Sequence, residues 1–123
     1  MRWLIDGMNV IGSRPTGWWR DRPGAMRALV EQLVSFAERS GEPVTVVLDG
    51  GPFELEGGPG VTVRFASRRG RDAADDDIAA IVESDADPAD LSVVTSDGEL
   101  ARRVRHAGAT VLGAGEFRRR LDP

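Results

Sequence analysis

Two hydrophobic periods alternate along this chain. Leu4-Ile5 is a short apolar pair cut off by the turn-forming Asp6-Gly7, and the Gly, Pro and Trp content from Asn9 to Pro23 is that of a loop. Met26, Leu29, Val30, Leu33, Val34 and Ala37 then recur at intervals of three and four up to Gly41, which predicts an amphipathic helix of about four turns beginning near Pro23. Val44–Leu48 is continuously apolar, the pattern of a strand buried on both faces in the middle of a parallel sheet. Val61–Phe65 alternates and is expected nearer an edge. A second helix should open at Asp72 and turn Ala74, Ile78, Ile81 and Val82 inward, followed by a buried strand, Leu91–Thr95. A third helix begins at Ser96 and breaks at Gly108, Ala109–Leu112 is the last strand, and Phe117 with Leu121 anchors a terminal helical turn. Strands alternating with helices specify an α/β sandwich with a mostly parallel sheet.

With 123 residues, 41% of them hydrophobic and 29% charged, the chain is expected to form one packed domain spanning 1–123. It has no cysteine, which removes disulfides, thiolate metal sites and thiol nucleophiles. An acid as early as Asp6 interrupts any apolar leader, so a cytoplasmic protein without a membrane association is expected. The net charge of −4 runs against a simple nucleic-acid binder, yet all sixteen cations are arginine, grouped at 68–71, 102–105 and 118–120. Arginine forks suit bidentate phosphate contacts, although a codon bias would produce the same usage. The absence of lysine excludes both a P-loop with its Gly-Lys-Ser/Thr element and a receiver domain with its strand-end lysine.

The chemistry should lie beyond the carboxyl ends of the strands, where open parallel sheets bind ligands. Asp6 follows the first strand, Asp49 the second and Asp97 the fourth, while Asp75 and Asp76 open the intervening helix. Any one strand-end Asp reads most simply as a turn or cap residue. Several at the same end of one sheet repel one another unless a cation sits between them, and an all-oxygen set suits Mg²⁺ or Mn²⁺. Helical phase puts Asp72, Asp75 and Asp76 on one arc and Asp77 on the other flank, so Asp75 is favoured first and Asp76 second, with Asp72 as an N-cap. Ser96-x-x-Glu99 has the form of a capping box, which leaves Asp97 without a capping task, and the Ser96 hydroxyl is free to meet a phosphate as well. Glu99 is a weaker candidate for a second ion. Arg68, Arg69 and Arg71 lie just before the acidic helix and are candidate phosphate contacts. Trp18 and Trp19 sit among Arg14, Arg20 and Arg22, where one ring, assigned to Trp18, would stack on a base. His106, the only histidine, lies near a helix end and suits the helix dipole rather than catalysis.

Ile5-Asp6-Gly7-Met8-Asn9-Val10-Ile11-Gly12 resembles the opening motif of the YacP-like NYN domains, and Val47-Leu48-Asp49-Gly50 resembles their second strand end. Ala74-Asp75-Asp76-Asp77-Ile78 and Val94-Thr95-Ser96-Asp97 complete a pattern covering nearly the whole chain. The resemblance implies a PIN-like three-layer sandwich and metal-assisted phosphodiester hydrolysis, with Asp6, Asp75 and Asp97 catalytic, Asp49 and Asp76 joining them around the metal, and water attacking phosphorus in line. It also implies RNA as the substrate, including ribosome-associated mRNA, and Asn9 as a group that positions Asp6 or touches the substrate backbone. Two positions depart from the family pattern: Ala73 stands where several relatives have an acid, and Met8 replaces an aromatic residue. A non-catalytic RNA-binding module of the same fold and a toxin-type PIN nuclease held by a protein partner are the alternatives.

Overall fold

The computed structural model describes residues 1–70 and 72–122. Five strands, β1 (Arg2–Asp6), β2 (Val44–Leu48), β3 (Val61–Phe65), β4 (Leu91–Val94) and β5 (Thr110–Leu112), form one sheet in the order β3-β2-β1-β4-β5. Every pairing is parallel, so the mostly parallel sheet expected is parallel throughout. Five helices accompany it: α1 (Gly7–Ile11), α2 (Arg22–Ser40), α3 (Ala73–Ser84), α4 (Gly98–His106) and α5 (Ala114–Leu121).

Alternating side chains of the strands divide the core in two. Trp3, Ile5, Val46, Leu48 and Val94 pack with α1, α2 and α5 on one face, where Trp3, Phe36 and Phe117 meet at ring separations of 5.1–5.6 Å. Leu4, Val47, Val93, Ile78, Val82, Leu100 and Val104 join α3 and α4 on the other. The result is a three-layer sandwich. β1, β2 and β4 are buried throughout or nearly so, because each has neighbours on both sides and helices on both faces. β3 keeps the half-exposed alternation of an edge strand.

Two local expectations change. The segment after Asn9 is not all loop: Gly7 to Ile11 coil into a single helical turn directly off β1, and Trp18–Arg20 form a 3₁₀ turn. Short polar and glycine-rich stretches carry no periodicity long enough to reveal one turn. Gly7 shows why that turn can form here, since a Cβ would lie 2.5 Å from Leu48 Cδ2 and 3.0 Å from the Val47 carbonyl oxygen. Glycine lets α1 settle on β2 and leave Asp6 at the carboxyl end of the central strand. Gly7→Ala is accordingly expected to cost about 1–3 kcal/mol, as overpacking of a tight core does. Chemical denaturation checks it, and a fully stable variant would mean that α1 does not need this close approach.

The second change concerns the helix starts. Asp72 precedes α3 in a left-handed conformation, φ 65°, and its side chain caps nothing. The tolerance of Asp for that region explains its place better than capping does. At α4 the cap is Asp97, whose carboxylate accepts from the Leu100 N–H at 2.9 Å, so no Ser96–Glu99 box forms. The helix starts one residue later than the box would require.

Candidate active site

The strand order reverses between β1 and β4, and a crevice opens where their carboxyl ends diverge. Register puts Ile5 beside Val94, which sets Asp6 level with Thr95 across the junction. The Thr95 hydroxyl donates to Asp6 Oδ2 at 3.0 Å and in turn accepts from the Asp97 N–H at 3.1 Å. Thus one buried threonine links the last residue of β1 to the start of α4.

Around this junction lies a cleft of about 300 Å³ lined by Asp6, Asp49, Asp72, Asp75 and Asp97 together with Met8, Asn9, Gly70 and Ala74. Four of these acids arrive from different elements, and Asp72 precedes the same helix that carries Asp75. Asp6 ends β1, Asp49 follows β2, Asp75 sits in the first turn of α3 and Asp97 caps α4. The parallel sheet therefore gathers at one end what the sequence spreads over ninety residues.

Electrostatics mark Asp6 as the centre. It is only 5% exposed, and burial pushes its carboxyl up to about 7, with the charges of Asp75 and Asp49 adding to the effect and the Thr95 hydroxyl opposing it. Asp75 is raised as well, first by burial and then by Asp97, Asp72 and Asp49. Burial raises Asp49, while the Arg22 guanidinium holds it back. Three neighbouring carboxyls that resist ionisation form a site short of positive charge.

That shortage tests whether a metal suits the residues. The donors are all oxygens, which fits Mg²⁺ or Mn²⁺ and fits softer ions poorly. Among the described residues no three acids stand close enough to enclose an ion between them. Mg²⁺ normally keeps several waters and takes only one or two carboxylates directly, so an open ring of acids suits it better than a closed cage would. The residues present fit a hydrated hard cation.

Other candidates are placed differently. Asp76, expected to join the metal acids, stands apart from the cleft with both carboxylate oxygens engaged, one by Arg103 at 2.9 Å and the other by Arg68. These arginines hold its carboxyl below the usual range. Helical phase put it on the right arc but could not show that two guanidinium groups wait there. Asp77 points to the opposite flank, where it accepts from the Ser67 N–H and hydroxyl. Glu99 pairs with Arg102 on the surface.

Asn9 and Ser96 serve the scaffold. Asn9 Oδ1 accepts from the Ser96 N–H at 2.6 Å, and Ser96 Oγ accepts from the Ala114 N–H at 2.9 Å, which ties α1, the β4 end and the start of α5 together. Asn9 also lines the cleft. Of the arginine loop, Arg68 is committed to Asp76, Arg71 lies outside the described residues, and Arg69 lies over Gly51 beside the β2 end with no ion pair among the described residues. Ala73, where relatives have an acid, is fully buried and offers the cleft nothing. Sequence reasoning missed Thr95, the hinge of the polar network, because a threonine ending a buried strand carries no signal of its own. It also missed Arg118, which donates from Nη1 to the Val10 carbonyl at 2.8 Å and so holds the carbonyl end of α1.

The comparisons with known proteins agree with this architecture. Two crystal structures of Rae1 (YacP) from Bacillus subtilis superpose on the chain, each over 99% of it and 74% of the other protein. One, a tryptophan-to-leucine mutant, gives a TM-score of 0.80 at 23% identity, and the other gives 0.78 at 24%. At such identities the likeness establishes the fold. A comparison with curated proteins gives no match. The family described as YacP-like NYN domain matches residues 3–123, nearly the whole length and all four sequence blocks. On that match, the chain belongs to the YacP-like NYN domain family.

Proposed function

We propose that this chain is a single-domain, divalent-cation-dependent endoribonuclease, a specific case of the PIN-like, nuclease-type, RNA-directed function that its family supports. The observation that carries the proposal is the convergence of Asp6, Asp49, Asp75 and Asp97 on one cleft at the switch point of a parallel sheet. Without a cation such a cleft would repel a phosphodiester.

A bound Mg²⁺ or Mn²⁺ would supply Lewis acidity to a water and neutralise charge on the phosphate oxygens. Asp6, Asp49, Asp75 and Asp97 would hold it, one or two of them directly and the others through its waters. The chain's own contribution is rigidity and charge. Thr95 fixes the orientation of Asp6 through Oδ2, and the α4 cap fixes Asp97, so neither carboxylate needs reorganisation when substrate arrives. Burial keeps the Asp6 proton in place to about neutral pH, and a cation competes with that proton. Arg22 and Arg69 stand near the β2 end, where they would meet the phosphate backbone of the substrate. Ribosome-bound mRNA falls within this substrate class, and a cytoplasmic location accords with it; no helix among the described residues is long and apolar enough to cross a membrane.

Melting in Mn²⁺ tests the metal directly. An ion that binds only the folded state adds about 2.7 kcal/mol at a hundred times its Kd, so the melting temperature should rise with Mn²⁺ and fall back on chelation, with RNA cleavage following the same titration. Protein that binds RNA without cutting it under any divalent ion would be a binding module of the same fold. Replacing Arg69 should lower the salt dependence of RNA binding by about one counterion; an unchanged slope would return that arginine to the solvated surface.

A further inference from the structure

Trp18 and Trp19 occupy the 3₁₀ turn before α2, and the structure separates their roles. Trp18, within the α1–α2 connection, is half-buried against the core, with Gly12 near its ring. Trp19 is 55% exposed and, with Met1, one of two large hydrophobic side chains left in solvent among the described residues. Its ring meets Trp18 edge to face, centroids 5.9 Å apart and planes at 84°, and the Arg20 guanidinium lies over it at 6.0 Å. Arg22 lies over Trp18 at 5.6 Å.

Backbone hydrogen bonds close the turn. Gly17, at φ 77°, opens it, the Arg20 N–H donates to the Gly17 carbonyl at 3.0 Å, and the Asp21 N–H donates to that of Trp18 at 3.2 Å. Asp21, the acid nearest in sequence, is occupied in capping α2 through the Gly24 N–H. Arg20 and Arg22 consequently carry positive charge that no acid among the described residues neutralises in an ion pair. From Arg22, whose charge reaches Asp49 at the cleft, ring contacts lead through Trp18 to Trp19 beneath Arg20.

An exposed indole on a hydrogen-bonded turn, flanked by guanidinium groups without ion pairs and near an acidic cleft, has the chemistry of a base-stacking step beside a phosphate track. We infer that Trp19, rather than Trp18, is a binding subsite for an unpaired base, located a few nucleotides along the strand from the phosphate held in the cleft. This rests on the ribonuclease reading and narrows it: a base must be out of a duplex to offer its face, so the substrate is single-stranded at that point. Arg20 and Arg22 take the adjoining phosphates. Trp18 supports the ring and touches no RNA.

Binding of labelled oligouridylate, set beside an oligomer of the same length with abasic sites, tests the subsite in Ca²⁺ by fluorescence anisotropy. Trp19→Ala should weaken oligouridylate by about tenfold, leave the abasic oligomer unchanged and keep the salt slope of wild type, because no charge is lost. Trp19→Phe should restore most of the affinity. In cleavage assays the Ala variant should raise KM and leave kcat near wild type. Equal weakening of both oligomers, unchanged binding of both, or a wild type that prefers duplex RNA would overturn the subsite. Any of these together with intact metal-dependent cleavage would leave the nuclease reading standing. A wild type that neither binds nor cuts RNA would remove both.

Discussion

Asp6→Asn should make the metal-free protein more stable at pH 8 while lowering RNA cleavage by about a hundredfold or more, the range seen when one group that stabilises transition-state charge is removed. The stability gain follows from burial. Folding moves the Asp6 carboxyl from its ordinary 3.8 to about 7, so the folded protein keeps a proton that the unfolded chain has released. Stability attributable to this group is complete below about pH 4 and is lost as pH rises through about 7. At about 1.36 kcal/mol per pH unit, ionising Asp6 in the fold costs at most about 4 kcal/mol. Asn keeps the oxygen that accepts from Thr95 but leaves its amide N–H groups without a defined partner, so a net gain of about 2 kcal/mol is expected. Asp76, Asp85, Asp90 and Asp122 are shifted downward by arginine or N-terminal partners and titrate in the opposite sense. The decisive quantity is therefore the difference between variant and wild type across pH 4–8, followed by urea denaturation. A constant difference would mean that Asp6 is not the buried titrating group.

Replacing Asp97 separates scaffold from chemistry, because its carboxylate both caps α4 and lines the cleft. Asn caps a helix as well as Asp does, so Asp97→Asn should unfold at the same denaturant concentration as wild type or a higher one in the absence of metal. Its cleavage rate should nevertheless fall by at least about a hundredfold, and most of the Mn²⁺-dependent rise in melting temperature should vanish, since an amide oxygen is a poorer ligand for a hard cation. Asp97→Ala should lose activity to the same extent and about 1 kcal/mol of stability in addition. If Asp97→Asn retained both cleavage and the melting shift, Asp97 would be a helix cap only.

Much of the architecture is legible in the sequence, because burial on both faces leaves a continuous apolar run such as Val44–Leu48 and a helix packed on the sheet leaves a 3.6-residue period such as Met26–Ala37. The acids at strand ends were readable for the same reason: once the strands are assigned, chain direction in a parallel sheet sends Asp6, Asp49 and Asp97 to one end. What failed to show was contact across the chain. Asp75 and Asp76 share one arc of their helix, and what sets Asp76 apart is the position of Arg68 and Arg103 from elsewhere in the fold. Asn9 and Ser96 look like free polar groups in sequence yet are joined across 87 positions. The one-turn helix α1 was invisible because it depends on a glycine whose value lies in its neighbours Leu48 and Val47 rather than in its own propensity. Capping by Asp97 instead of Ser96 turns on a single residue, which is within the ordinary ambiguity of a helix start.

Asp75→Asn provides the most direct test, since Asp75 lines the cleft and no hydrogen bond or ion pair among the described residues ties it to the scaffold. End-labelled single-stranded RNA should be cut internally by wild type in Mn²⁺, cutting should stop on chelation, and Asp75→Asn should cut at least about a hundredfold more slowly while melting no lower than wild type without metal. Cleavage that persists in chelator, or an Asp75→Asn protein as fast as wild type, would contradict a metal-dependent site built from these aspartates.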